Sequence, residues 1–137
     1  MRNQCEIRTG RLLEVRANAG YRTVADVDAI FAVIGKAVVS LAPQRAVVVV
    51  DWRRCPIMSA EASECLRARM AGNNPHFERS AALGSKQSPL TMLQFLRLVR
   101  DSGNKERRLF DDVTELCAWL DDILSPAERA RLREFLA

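Results

Sequence analysis

Four consecutive valines, Val47 to Val50, leave no polar alternate position in the segment 46–50. That pattern belongs to a strand buried on both faces in the middle of a sheet. The chain turns ionisable directly after it, at Asp51, Arg53 and Arg54, with Cys55 and Pro56 beyond. Short runs at 5–8 and 12–16 flank Thr9-Gly10 and predict an opening β-hairpin. Val24, Val27, Phe31, Ile34, Val38 and Leu41 then recur at three- and four-residue steps, the stripe of a core-facing helix that Thr23 caps, with Asp26 three residues on.

Beyond the valine strand, Ser59 is placed to cap a second helix with Ala62, Cys65, Leu66 and Met70 on one face, stopped by Gly72-Asn73-Asn74-Pro75. Residues 78–83 predict another strand, and Ser88-Pro89 opens a helix running to about Asp101. That helix is apolar almost all the way round, with only Gln94, Arg97 and Arg100 as its polar share. One buried face cannot use Leu90, Met92, Leu93, Phe95, Leu96, Leu98 and Val99 together. The helix is either buried on two sides or presents part of this set to a second copy or an apolar ligand.

Residues 107–110 predict a last strand, and a helix follows through Val113, Leu116, Cys117, Leu120, Ile123 and Leu124. Ser125-Pro126-Ala127-Glu128 is a capping box with proline inside it, so a separate terminal helix packs through Leu132, Phe135 and Leu136. Single strands alternating with helices imply right-handed parallel crossovers, and the hairpin adds one antiparallel pair. The expected fold is a single α/β domain over 1–137, with a mixed, mostly parallel sheet of about five strands and four to five helices. Its core is expected over 5–124, with an extra helix at 125–137.

This order of elements resembles the STAS fold of anti-sigma-factor antagonists and sulfate-transporter tails, and more closely its SpoIIAA-like branch of small bacterial proteins. The resemblance rests on the valine strand ending in Asp51, the helix after Ser59, the strand 78–84 with its helix, and Leu109-Phe110-Asp111-Asp112 followed by Ala118-Trp119-Leu120. It implies a regulatory or protein-binding module. Antagonists of that class carry Asp-Ser-Ser-Gly at the start of the second helix, where a partner kinase phosphorylates a serine. This chain has Ser59-Ala60-Glu61-Ala62 there, so that phosphoswitch is expected to be absent. Ser59 and Ser63 remain as phosphate acceptors, with capping the favoured role for Ser59.

Composition narrows the function further. The chain of 137 residues, 48% hydrophobic, can bury a core without disulfides or metal. Cys5, Cys55, Cys65 and Cys117 are dispersed without a Cys-x-x-Cys pair, which suits thiols in a reducing, cytoplasmic setting. No apolar run approaches the roughly 20 residues of a membrane span, so no membrane insertion is expected. The net charge of +4 comes from scattered arginines, and aromatics are only 6%, so the clustered footprint of a nucleic-acid binder is missing.

No cofactor or metal motif is legible, and Gly84-Ser85-Lys86 is too short for a Walker loop. The loops after the valine strand and after residues 78–83 should emerge at one end of the sheet. Asp51, Arg53, Arg54, Ser59, Ser85, Lys86 and Ser88 are therefore expected to form a site for an anion or an acidic partner loop, helped by two helix N-termini. Asp51 lacks a second carboxylate for acid–base work, Cys55 is a thiol that neighbouring arginines could activate, and His76 is expected at the opposite end.

The leading expectation is a non-enzymatic binding module, working with a protein partner or as a homodimer through Leu90, Leu93 and Leu98. The alternative is a carrier of a small apolar or amphiphilic ligand in a pocket bordered by Met92, Phe95 and Val99. An enzyme ranks last.

Overall fold

The valine segment lies at the centre of a five-stranded sheet. A computed structural model describes residues 2–137. Its elements are β1 (Asn3–Thr9), β2 (Leu12–Ala17), α1 (Val24–Leu41), β3 (Ala46–Asp51), α2 (Ala60–Gly72), a 3-10 turn (Asn74–His76), β4 (Phe77–Leu83), α3 (Pro89–Asp101), β5 (Arg107–Phe110), α4 (Val113–Asp121) and α5 (Pro126–Leu136). The strands are ordered β1-β2-β3-β4-β5, with β1 and β2 antiparallel and every other pair parallel. This is the mixed α/β architecture that the alternation of elements predicts.

Sequential order makes each parallel crossover step the same way across the sheet. Right-handed connections then stack α1, α2 and α3 on one face. Val48 packs there with Val27, Ile30 and Ile34 of α1, Leu66 of α2, and Phe95 and Leu98 of α3. On the other face, Val47 and Val49 meet Leu116, Cys117 and Leu120 of α4, and Leu132, Phe135 and Leu136 of α5. The unbroken apolar run is thus explained by two cores, one on each side of β3. Cys65, expected on the buried face of α2, is only half-buried.

The terminal helix supplies about half of the second layer's helical cover, and polar contacts lock it down. Glu14 of β2, whose side chain is only 1% exposed, accepts hydrogen bonds from Arg131 Nε at 2.7 Å and Nη2 at 2.8 Å. A buried carboxylate needs such a bidentate partner to offset its lost hydration. The capping box is formed as predicted: Ser125 Oγ accepts from the Glu128 N–H, and Glu128 Oε1 accepts from the Ser125 N–H. Glu128 Oε2 reaches further and accepts from the Arg11 N–H at 2.8 Å, clamping the hairpin turn to the start of α5.

That clamp leaves no room beside the turn. Gly10 sits at φ +57°, and a Cβ there would collide with the Glu128 carboxylate. Gly10→Ala is therefore expected to lose about 1–3 kcal/mol, combining left-handed backbone strain with a displaced cap. Urea unfolding reads this as a lower midpoint at unchanged slope; an unchanged midpoint contradicts the clamp.

Candidate functional site

β3 ends in Asp51, and the parallel register sets Arg16 of β2 beside it. Strand alternation aims both side chains at the α5 side of the sheet. Asp51 is 6% exposed, and both of its oxygens are used. Oδ1 accepts from the Arg53 N–H at 3.1 Å and from Arg53 Nε at 3.0 Å; Oδ2 accepts from Arg53 Nη2 at 3.0 Å and Arg16 Nε at 3.4 Å. Burial pushes the carboxyl pKa up, but the hydrogen bonds and charge of Arg53, with the charge of Arg16, outweigh it and hold Asp51 below the usual carboxylate range. The same hydrogen bonds raise Arg53. Arg16 also donates to the Phe135 carbonyl at 2.6 Å and lies over that ring, 4.4 Å from its centre.

Around this pair opens a cleft of about 500 Å³, lined by Arg16, Asn18, Asp51, Arg53, Arg54 and Ala137. Three arginines and one acidic side chain therefore line the cleft. Arg54 is exposed and makes no ion pair among the described residues. Arg16 and Asn18 are additions that the sequence pattern did not single out.

The remaining predicted residues are elsewhere. Ser59 caps α2, its Oγ accepting from the Ala62 N–H at 3.1 Å. Ser85 Oγ accepts from the Gln87 N–H at 3.2 Å within its own turn. Ser88 stands at the cap position of α3, but its side chain makes no capping bond; its carbonyl takes Thr91 Oγ1 at 2.8 Å and the Met92 N–H at 3.0 Å. None of Ser59, Ser85, Lys86 and Ser88 lines the cleft. The expected single site is thus divided by the sheet. Asp51 and its arginines face α5, whereas α2 and α3 begin on the opposite face.

Sequential strand order has a second effect. Ligand crevices of doubly wound sheets form where the order reverses, and there is no reversal here. The cleft is walled instead by the end of α5. On the other face, Gln94 ties the loop after β3 to α3, with its Oε1 accepting from the Met58 N–H at 2.8 Å and its Nε2 donating to the Met58 carbonyl at 3.0 Å.

Cys55 is buried rather than activated. Burial pushes its thiol pKa up to about 12, opposed in part by the Tyr21 N–H, so it is protonated at neutral pH. The expectation that Arg53 and Arg54 activate it is corrected, since Arg53 is committed to Asp51. His76 lies in the 3-10 turn that precedes β4, at the end opposite the cleft.

Helix α3 splits its apolar residues. Phe95, Leu98 and Val99 are buried in the core, while Leu90, Leu93 and Leu96 are 72%, 47% and 55% exposed. Leu98 is therefore corrected from the expected dimer face to the core. Met92, Leu93 and Leu96 instead line an open groove of about 410 Å³ with Pro89, Leu109 and Phe110, rimmed by Asp111 and Glu115. A separate interior cavity of about 40 Å³ lies between the sheet and the helices α1–α3. It is bordered by Val99 but not by Met92 or Phe95. Its size is far below the roughly 300–1,000 Å³ of ordinary small-molecule sites.

No family model matches the chain, and no curated protein does either. Among solved structures it is similar to an uncharacterized protein of the DUF3478 family with a SpoIIAA-like fold from Shewanella loihica PV-4. The two are 16% identical with a TM-score of 0.63, over 87% of this chain and 94% of that one. The chain has a SpoIIAA-like fold. No helix among the described residues is long and apolar enough to cross a membrane.

Asp51 sets a pH dependence. A carboxyl depressed in the folded state adds stability above its unfolded pKa and loses it as pH falls through the folded value. Asp51→Asn is expected to cost about 1–3 kcal/mol at pH 7, and much less once pH falls below about 4. Urea unfolding at pH 7 and pH 3 measures both; an equal cost at the two pH values rules out the ionised pair.

Proposed function

We propose that this chain is a non-enzymatic regulatory module that docks an acidic group of a protein partner in the cleft of Arg16, Arg53 and Arg54. The observation that carries this reading is Arg54, an exposed guanidinium with no ion-pair partner among the described residues, beside two others that already share Asp51. Arg16 and Arg53 are held rigid by their partners, so two of the three cations are preorganised, and less side-chain entropy is lost on binding.

The non-enzymatic part draws on the groups beside the cleft. Asp51 is too weakly basic to take a proton near neutral pH, and the Cys55 thiol is held protonated. Ala60 and Glu61 stand where the STAS resemblance places a phosphorylated serine, and Ser59 is engaged as a helix cap. A kinase-driven switch is therefore left out of the proposal.

A titration of isotope-labelled protein with a hexaglutamate peptide tests the cleft. The amides of Asn18, Arg53 and Arg54 should shift, and binding should weaken as salt shortens the screening length. Arg54→Glu should lower affinity about tenfold, near 1.4 kcal/mol. Shifts confined to Ser85, Lys86 and Ser88, or an affinity indifferent to Arg54→Glu, overturn the proposal.

The exposed Leu90, Leu93 and Leu96 favour a second contact, with another copy of the chain across the α3 groove. Native mass spectrometry is expected to record a dimer that Leu93→Glu disperses. A monomer at every concentration removes this contact and leaves the cleft untouched.

A further inference from the structure

The sheet is open at β1 and at β5, and its two edges are built differently. Along β1 the exposed positions are Gln4, Glu6 and Arg8, which alternate with half-buried residues. Polar and charged side chains of that kind guard an edge against further strands. Along β5 the positions after the buried Arg107 are Arg108, exposed, and Leu109 and Phe110, half-buried. No strand pairs with its outer side.

Both faces of that edge carry apolar or aromatic groups without full cover. On the α3 side, Leu109 borders the open groove with Met92, Leu93 and Leu96. On the α4 side, the Phe110 and Trp119 ring centres are 5.7 Å apart, and Arg108 lies over the half-buried Trp119 ring at 4.9 Å with no ion pair among the described residues. Exposed tryptophan and arginine together are typical of the anchors of an interface. Arg107 is turned inward, its guanidinium donating to Asn74 Oδ1 at 2.7 Å and to the Met70 carbonyl at 3.2 Å. The edge open to a partner therefore begins at Arg108.

The backbone shows which residue can pair. The Glu106 and Phe110 carbonyls point into the sheet, accepting from the Ser80 N–H at 2.9 Å and the Gly84 N–H at 2.8 Å. Strand alternation then turns the N–H and the carbonyl of Leu109 outward, where no strand receives them.

A second copy, related by a two-fold axis through this edge, has two close registers that keep like faces together. Centred on Arg108, the pairing sets guanidinium against guanidinium and requires the Arg107 N–H, which already donates to the Asn104 carbonyl at 3.2 Å. Like charges directly opposite are destabilising. Centred on Leu109, the two Leu109 residues exchange both backbone hydrogen bonds, their side chains meet where the two α3 grooves join, and Arg108 stands opposite the partner's Phe110. Those side-chain pairs are apolar on apolar and cation on aromatic, both favourable. The strand is complementary to itself, as an isologous contact demands. So short a strand offers few hydrogen bonds, and the exposed Leu93 and Leu96 supply the apolar burial beside it.

We propose that two copies of this chain pair antiparallel through β5, with Leu109 on the two-fold axis, so that their sheets run on as one. This pairing rests on the reading of the α3 groove as a contact between copies, and specifies how the copies meet.

Oxidation of Leu109→Cys, on a Cys5→Ser, Cys65→Ser background that removes the two half-buried thiols, is expected to give a disulfide-linked dimer, because the Cα atoms of a hydrogen-bonded pair stand about 5.5 Å apart. Arg108→Cys on the same background should stay uncrosslinked, because the two copies of that position lie diagonally, roughly 7–8 Å apart. Leu109→Cys trims a partly buried side chain, so the unsubstituted chain supplies a second measurement. Its Leu109 amide should exchange hydrogen about tenfold more slowly in concentrated than in dilute protein, and Leu93→Glu should abolish the difference. A dimer that Leu93→Glu disperses, but whose Leu109 amide exchanges as fast as in dilute protein, overturns strand pairing and leaves the α3 contact standing. Crosslinking through Arg108→Cys in place of Leu109→Cys overturns the Leu109-centred pairing. A monomer at every concentration overturns both the pairing and the contact, and leaves the edge to a different chain.

Discussion

A strand of unbroken valines has to be covered on both faces, and the rest of the molecule follows from that requirement. Three crossovers in one direction cover one face without further instruction, because their handedness leaves no choice. The opposite face receives no crossover at all. It is covered by α4 and α5, which come after the last strand, so the sheet depends on a segment that contributes no strand to it. Hence the polar devices concentrated on α5: the Glu14–Arg131 fork and the Glu128 bridge to the hairpin turn. Apolar contact alone holds a helix to a sheet but leaves its position along the strands loosely defined; directional bonds at its first turn and its midpoint fix it.

Elements and caps were legible because their causes are local. Thr23, Ser59 and Ser125 all cap as their spacing predicts, and the alternation of strands and helices leads to the observed sheet. The site was only half legible. Asp51, Arg53 and Arg54 do gather at the end of β3, since they adjoin in sequence. Arg16 was hidden, because its role depends on strand register across 35 positions. Ser85, Lys86 and Ser88 were grouped with them from shared position at one end of the sheet, but a sheet has two sides, and strand alternation decides which side each side chain joins. Cys55 was read from its charged neighbours in sequence, whereas burial governs its thiol. Arg107 looked like an ordinary strand residue; only packing shows that it has been left without a counter-charge.

The arginines thus fall into distinct electrostatic settings. Arg8, Arg22, Arg67, Arg69, Arg100 and Arg133 are in surface pairs that contribute little individually. Arg131 is tied to a buried carboxylate, Arg16 and Arg53 share one, Arg54 has none in solvent, and Arg107 has none in the interior. The same residue type therefore carries structure, recognition and an uncompensated charge. A count of arginines cannot separate these cases; the partner of each guanidinium does.

The bond between Arg131 and Glu14 joins groups 117 residues apart. While the chain is being made, the hairpin and the valine strand emerge long before the helix that covers their second side. Until α5 arrives, Val47 and Val49 face solvent across a half-finished sheet, a surface on which another unfinished chain can settle. Long-range closure of this kind also slows folding. The feature that secures the finished molecule is therefore what leaves its nascent form exposed to aggregation.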